Sequence, residues 1–207
     1  MTQAGRRTRV AAVLAAMVAA TIGCRGPRAN EAGFWFEPVH FESRVLGGAL
    51  TPADLAVVEP IARAELARAF AGLPITISDR RDATFRVRVV QEVRDRRLRA
   101  NWGVAGESFS VPGLGGHSSV SFLFLASGAV ANAPPDASRR EILAAIGRGL
   151  GRTAAHELAH LLLPQAPLHD SSDVSSYEFD SAARPEQYVG EMRWAIARPW
   201  LEARLRR

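Results

Sequence analysis

The sequence predicts one mixed α+β domain, a sheet of short strands combined with a long, well-capped helix. Residues 75–77 and 84–90 alternate apolar and polar positions at period two, the second stretch with Arg86 and Arg88 on its wet face. Ser138 and Glu141 form an S-x-x-E capping box ahead of a run that keeps a helical pattern to about Leu163. The 207 residues, 47% hydrophobic and 23% charged, suit a single core and exclude a disordered chain.

The N-terminus reads as a targeting segment. Residues 1–9 carry Arg6, Arg7 and Arg9 and no acid, and residues 10–22 are apolar throughout. That run spans about 20 Å as a helix, too little for a ~30 Å hydrocarbon core, so it reads as a secretory signal over residues 1–23. Thr21-Ile22-Gly23-Cys24 resembles a bacterial lipobox, although leucine or valine is usual where Thr21 stands. The resemblance implies a lipid on Cys24, the only cysteine, and a place in the bacterial cell envelope facing the periplasm or the exterior. An ordinary secretory signal is the alternative. Loss of residues 1–23 leaves 23 basic against 21 acidic side chains, a net +2. Every basic residue is arginine, and none is grouped into a stripe with aromatics, so no nucleic-acid partner is expected.

Residues 24–33, polar and bearing Gly and Pro, read as a tether to a domain over 34–207. Residues 34–50 read as a strand or an irregular cover. Thr51, Pro52 and Asp54 supply an N-cap, a first-turn proline and a first-turn acid for a helix toward Gly72, which Pro60 is expected to kink or divide. Residues 101–116, rich in Gly and Ser, read as loops or short pieces, and residues 120–125 as a buried strand. Gly147, Gly149 and Gly151 weaken the helix after Ser138 or let another element approach closely. Residues 164–185 read as irregular, and Pro185 as the start of a C-terminal helix carrying Tyr188, Met192, Trp194 and Ile196. Trp35, Trp102, Trp194 and Trp200 read as core or partly buried aromatics, and His40 and His117 as surface or loop residues.

The chemistry lies in His156-Glu157-Leu158-Ala159-His160, an H-E-x-x-H sequence within the predicted helix. Residues four apart share a helix face, so both imidazoles reach one metal ion, while Glu157 reaches a water on it. Neutral imidazoles suit Zn²⁺, which lowers the pKa of a bound water so that a carboxylate can act as general base. The uncharged surroundings, Thr153 to Ala155 before and Leu161 to Leu162 after, are similar to those in zincin metallopeptidases.

The stretch from His156 to His169 further resembles the metzincin pattern H-E-x-x-H-x-x-G-x-x-H. It departs from it in lacking the glycine and in placing eight residues, not five, between His160 and His169. The resemblance implies a zincin-like fold, a mixed twisted sheet with the H-E-x-x-H helix and a C-terminal helix. It implies His156, His160 and His169 as ligands of Zn²⁺ and Glu157 as catalytic base. Glu191 on the C-terminal helix is the alternative third ligand, and Asp170 or Asp173 another. One of those two aspartates could instead orient a ligand imidazole. Tyr177, or alternatively Tyr188, suits the oxyanion, and either suits simple packing. A metzincin also has a methionine beneath the metal; Met192 is the only one after the motif, but it reads as helical core.

The expected activity is hydrolysis of a peptide or protein substrate through a zinc-bound water, the peptide lying extended along a sheet edge. A zincin-like lipoprotein with a binding or structural role and no catalysis is the alternative.

Overall fold

The computed structural model describes residues 30–94, 103–111, 114–166, 168–169, 172–179 and 184–207. The expected signal over residues 1–23, Cys24, Trp102 and Asp170 lie outside the described residues. The main sheet has five strands in the order β4 (Thr76–Ser78), β1 (Glu31–Phe36), β5 (Phe85–Val90), β9 (Gly115–Ser121) and β8 (Gly106–Val111). The first four are parallel, and β8 runs antiparallel to β9 at the edge. Two small antiparallel pairs accompany it, β2 (Glu42–Ser43) with β3 (Gly48–Ala49), and β6 (Val93–Arg94) with β7 (Gly103–Val104). The domain is therefore mixed α+β with a mixed sheet.

Helix α3 (Arg139–Leu162) lies across β5, β9 and β8, and α1 (Pro52–Ala69) packs against α3. Val87, Val89 and Val120 from the sheet meet Ile146, Leu150 and Leu158 from α3 in the core. The alternation in β5 sends Arg86 and Arg88 to the opposite, solvated face, where His117 is also exposed. Trp35 and Trp194 are partly buried, while Trp200 is exposed.

Three glycines on α3 set how closely its neighbours approach. A Cβ on Gly147 would lie 2.8 Å from the Val58 carbonyl oxygen, and one on Gly151 2.3 Å from that of Ala62. A Cβ on Gly149 would lie 2.7 Å from the ring of Tyr188. Close approach, rather than weakness, is their role. Helix α1 stays continuous through Pro60. Pro60 and Ala56, whose carbonyl loses its usual donor, are both exposed, which leaves that carbonyl open to solvent.

Other elements depart from expectation. Strand β1 begins inside the stretch expected to be a tether, because Glu31 to Gly33 already pair with β4. Of the loops or short pieces expected over 101–116, strands form at Gly103–Val104 and Gly106–Val111, where small residues such as Gly106 and Ser108 let α3 approach. The buried strand stops at Ser121, whose hydroxyl accepts from the Phe124 amide and caps α2 (Phe122–Ala131). An apolar run of that length does not distinguish strand from helix.

The C-terminal helix is α4 (Arg198–Leu205); only a 3₁₀ turn forms at Pro185–Gln187. Two buried charged side chains account for the difference. Arg152 donates to the carbonyls of Glu186, Val189 and Gly190 at 2.7, 2.8 and 2.6 Å. Glu178 accepts from the amides of Ala195, Ile196 and Ala197 at 3.1, 2.9 and 2.7 Å. Backbone groups that a helix would have satisfied are satisfied by side chains instead.

The two predicted caps are present. Thr51 with Asp54, and Ser138 with Glu141, form reciprocal capping boxes. Arg139 also binds Asp54 with Nε at 3.0 Å and Nη2 at 2.8 Å, joining the starts of both helices. Arg139, with Thr51, holds the Asp54 carboxyl far below the usual carboxylate range. As pH falls, the unfolded chain takes up that proton first, near its ordinary value of about 3.9, so Asp54's contribution is lost below that pH. Urea midpoints of wild type and Asp54→Asn are expected to differ at neutral pH and converge below about pH 4; a constant difference would contradict the linkage.

Candidate metal centre

Helix α3 carries His156, Glu157 and His160, and the loop after it brings His169 back over the same face. The Nε2 atoms of His156 and His160 are 3.0 Å apart, and those of His160 and His169 3.2 Å. One donor atom from each of the three histidines lies within 4.8 Å of the others. Tetrahedral ligands at about 2.0–2.1 Å from zinc stand roughly 3.3 Å from one another, so the spacing fits such an ion.

Proton counting supports the same fit. His156 Nδ1 lies 2.7 Å from the Tyr177 carbonyl oxygen, which only accepts, so Nδ1 carries the proton and Nε2 a lone pair. The single proton that a neutral His160 could hold at Nε2 serves at most one of its two neighbours. Burial lowers the pKa of His156, and burial with the neighbouring imidazoles holds His160 at about 4. Three imidazoles whose ring nitrogens converge on one point are the donor set for a borderline-soft divalent cation.

The wall behind the histidines is held by long-range contacts. Tyr177 N donates to the Arg193 carbonyl at 3.0 Å, and Arg193 N donates to the Ser175 carbonyl at 3.1 Å. Arg184 donates to the carbonyls of Val174 and Ser176 and lies over the Phe179 ring. Burial raises the Glu178 carboxyl, but Ser176 and the amides of Ala197, Ile196 and Ala195 outweigh it and lower the pKa. The group that orients His156 is the main chain of Tyr177, while Asp173 pairs with Arg193 at 2.8 Å.

Glu157 is 6% exposed, and its Oε2 accepts from Ser108 Oγ at 2.5 Å. Ser118 Oγ stands 2.7 Å from Ser108 Oγ and supplies the next link of the chain. Glu157 Oε1 lies against Gly106, where a Cβ would stand 2.5 Å from it. Edge strand β8 thus grips one oxygen and, by having no side chain at Gly106, leaves room for the other. Burial pushes the Glu157 carboxyl up to about 7, against the lowering effect of Ser108. In the metal-free chain, Ser108→Ala is expected to raise it further, because the hydrogen bond favours the charged form. The carboxylate infrared band followed against pH reads the midpoint; an unchanged midpoint would deny Ser108 its hold.

These side chains line a cleft of about 550 Å³ that includes Val104 to Ser108 of the sheet edge, Phe179 and Met192. Met192 lies in an irregular segment rather than a helix, partly buried in the cleft wall. The Tyr177 ring packs on Trp194 with centroids 4.8 Å apart, and burial raises its hydroxyl to about 12. Tyr188 is 1% exposed and sits between Gly128 and Gly149, outside the cleft lining. Glu191 is exposed, follows Gly190 in a loop, and stands outside the histidine group, as does Asp173. His40 and His117 are exposed, as expected.

Ser108, Gly106 and Glu178 were not singled out by sequence. The one available signal was the run of small residues in 103–110, which marked close approach to α3. No protein-family model matches the chain, and no curated protein matches it.

Proposed function

We propose that this protein is a zinc metallopeptidase, metzincin-like in its ligand set, tethered to a bacterial membrane through acylated Cys24. The observation that carries the reading is the convergence of three histidine Nε2 atoms beside a buried glutamate on a sheet edge. His169 as third nitrogen and Met192 in the cleft wall support the metzincin-like form. Zinc held there would supply Lewis acidity, lowering the pKa of an attacking water and polarising the scissile carbonyl.

The chain's own residues do the rest. The outer edge of β8 offers backbone groups on which an extended peptide adds a strand. Glu157 takes the proton from the attacking water and delivers it to the leaving amine, with Ser108 fixing its orientation. Buried Tyr177 and half-buried Phe179 wall off one side of the cleft from solvent.

Metal analysis of the purified chain is expected to find zinc near one equivalent, lost in a His156→Ala, His160→Ala, His169→Ala variant. Wild type should cleave fluorescein-labelled casein, and a chelator should stop it. Zinc uptake equal in wild type and the triple variant would refute the site. Full zinc uptake without cleavage would turn the reading to a non-catalytic lipoprotein.

A further inference from the structure

Helix α4 presents two faces. Leu201 and Leu205 are 0% and 2% exposed and anchor it to the core, while Trp200 is 41% exposed. Trp200 and Arg204 stand at i and i+4 on one outward face of α4, and Arg207 follows just past the helix end, two residues beyond Leu205. Arg204 and Arg207 are exposed and have no side-chain carboxylate partner among the described residues. Glu202, the acid on this helix, is already shared by Arg198 at 3.1 Å and Arg206 at 3.9 Å. Beside the outward face lies a groove of about 440 Å³, whose walls are Leu162, Leu163, Pro164 and Ala166, closed by Trp200 and Arg204.

The place of this surface in the chain says what it meets. Asn30 Nδ2 donates to the Leu205 carbonyl at 2.7 Å, tying the start of the domain to the end of α4. Cys24 precedes Asn30 by six residues, a stretch that reaches at most about 20 Å. An acyl group on Cys24 would therefore hold this pole of the domain close to the lipid surface. Arginines without acids match phosphate headgroups, and an indole beside an apolar groove suits the headgroup boundary.

We propose that Trp200, Arg204, Arg207 and the groove at Leu162 to Ala166 form a docking surface for an anionic phospholipid bilayer. It would fix the stance of the domain on the membrane, in addition to the anchor. The inference rests on the proposed acylation of Cys24. Pro164 lines both the groove and the metal cleft, so the cleft opens next to the docked face.

The mature chain, residues 24–207 carrying Cys24→Ser, has neither the apolar signal nor an acyl group and so tests the surface without the anchor. It is sedimented with vesicles of phosphatidylglycerol and phosphatidylcholine in equal parts. Adding Arg204→Glu and Arg207→Glu is expected to weaken the bound fraction's partition coefficient at least about tenfold. Arg44→Glu with Arg140→Glu, the same charge change at exposed positions elsewhere, should leave it within about twofold. Equal losses from both pairs, or no loss from the first, would overturn the proposal. Trp200→Ala should likewise weaken binding, and thermal melts confirm that each variant folds. Labelled palmitate uptake by wild type, abolished by Cys24→Ser, tests the anchor separately. Failure there refutes the acylation reading, and the vesicle comparison still decides the surface.

Discussion

Glu157→Gln is expected to abolish peptide hydrolysis while leaving zinc uptake at the wild-type level. Glutamine has nearly the same shape and keeps an acceptor for Ser108, so the grip from β8 survives. The three nitrogens are unaffected, since His156 is oriented by the Tyr177 carbonyl and His169 comes from another segment. What disappears is an oxygen able to take a proton and give it up again. Removing a general acid–base of that kind costs about 10²–10⁴ in rate, roughly 3–5 kcal/mol of barrier. The measurement is casein cleavage by zinc-loaded wild type and variant at matched metal content. Activity within about tenfold of wild type would place the base elsewhere.

The same result in a Ser108→Ala background separates grip from chemistry. If Ser108 acts only through Glu157, its removal should cost nothing further once the carboxylate is gone. Two independent losses that multiply would mean Ser108 touches the reaction by another route.

What could be read from the sequence follows the distance over which each feature is determined. The capping boxes at Thr51 and Ser138 and the His156–His160 spacing are set within one helical turn, and each is found where local rules place it. His169 is nine residues from His160, and Pro164 ends the helix in time for the loop to return. Ser108 and Glu157 are 49 residues apart, and nothing in either neighbourhood names the other. The segment after Pro185 failed as a helix for the same reason. Its backbone partners are Arg152 and Glu178, which are remote in sequence and fully buried. The glycine- and serine-rich stretch before His117 was ambiguous because small residues serve turns and close packing alike.

Gly151→Ala provides the sharpest test of that packing, because two rules oppose each other there. In an isolated helix the change would stabilise by about 1 kcal/mol, through lower backbone entropy in the unfolded chain. Here the new methyl would sit 2.3 Å from the Ala62 carbonyl oxygen and 2.6 Å from Glu65 Cβ. The first obstacle is main chain and cannot rotate away, so α1 and α3 must separate. Overpacking of this kind costs about 1–3 kcal/mol or more, and the neighbouring contacts raise it. Arg152, next in sequence, reaches Glu65 at 3.4 Å, and both are buried. Moving α3 from α1 loosens that pair, leaving charge less well compensated. The clash therefore wins, with a net loss of about 2 kcal/mol or more and a melting temperature lower by roughly 4–8 °C. Ala62→Gly should not rescue it, since the carbonyl stays in place when the methyl is removed. Zinc affinity should fall as well, because α3 supplies two of the three nitrogens while His169 is held by a separate segment. A Gly151→Ala protein that melts at or above wild type would show that the two helices yield freely, and that the glycine is not what brings them together.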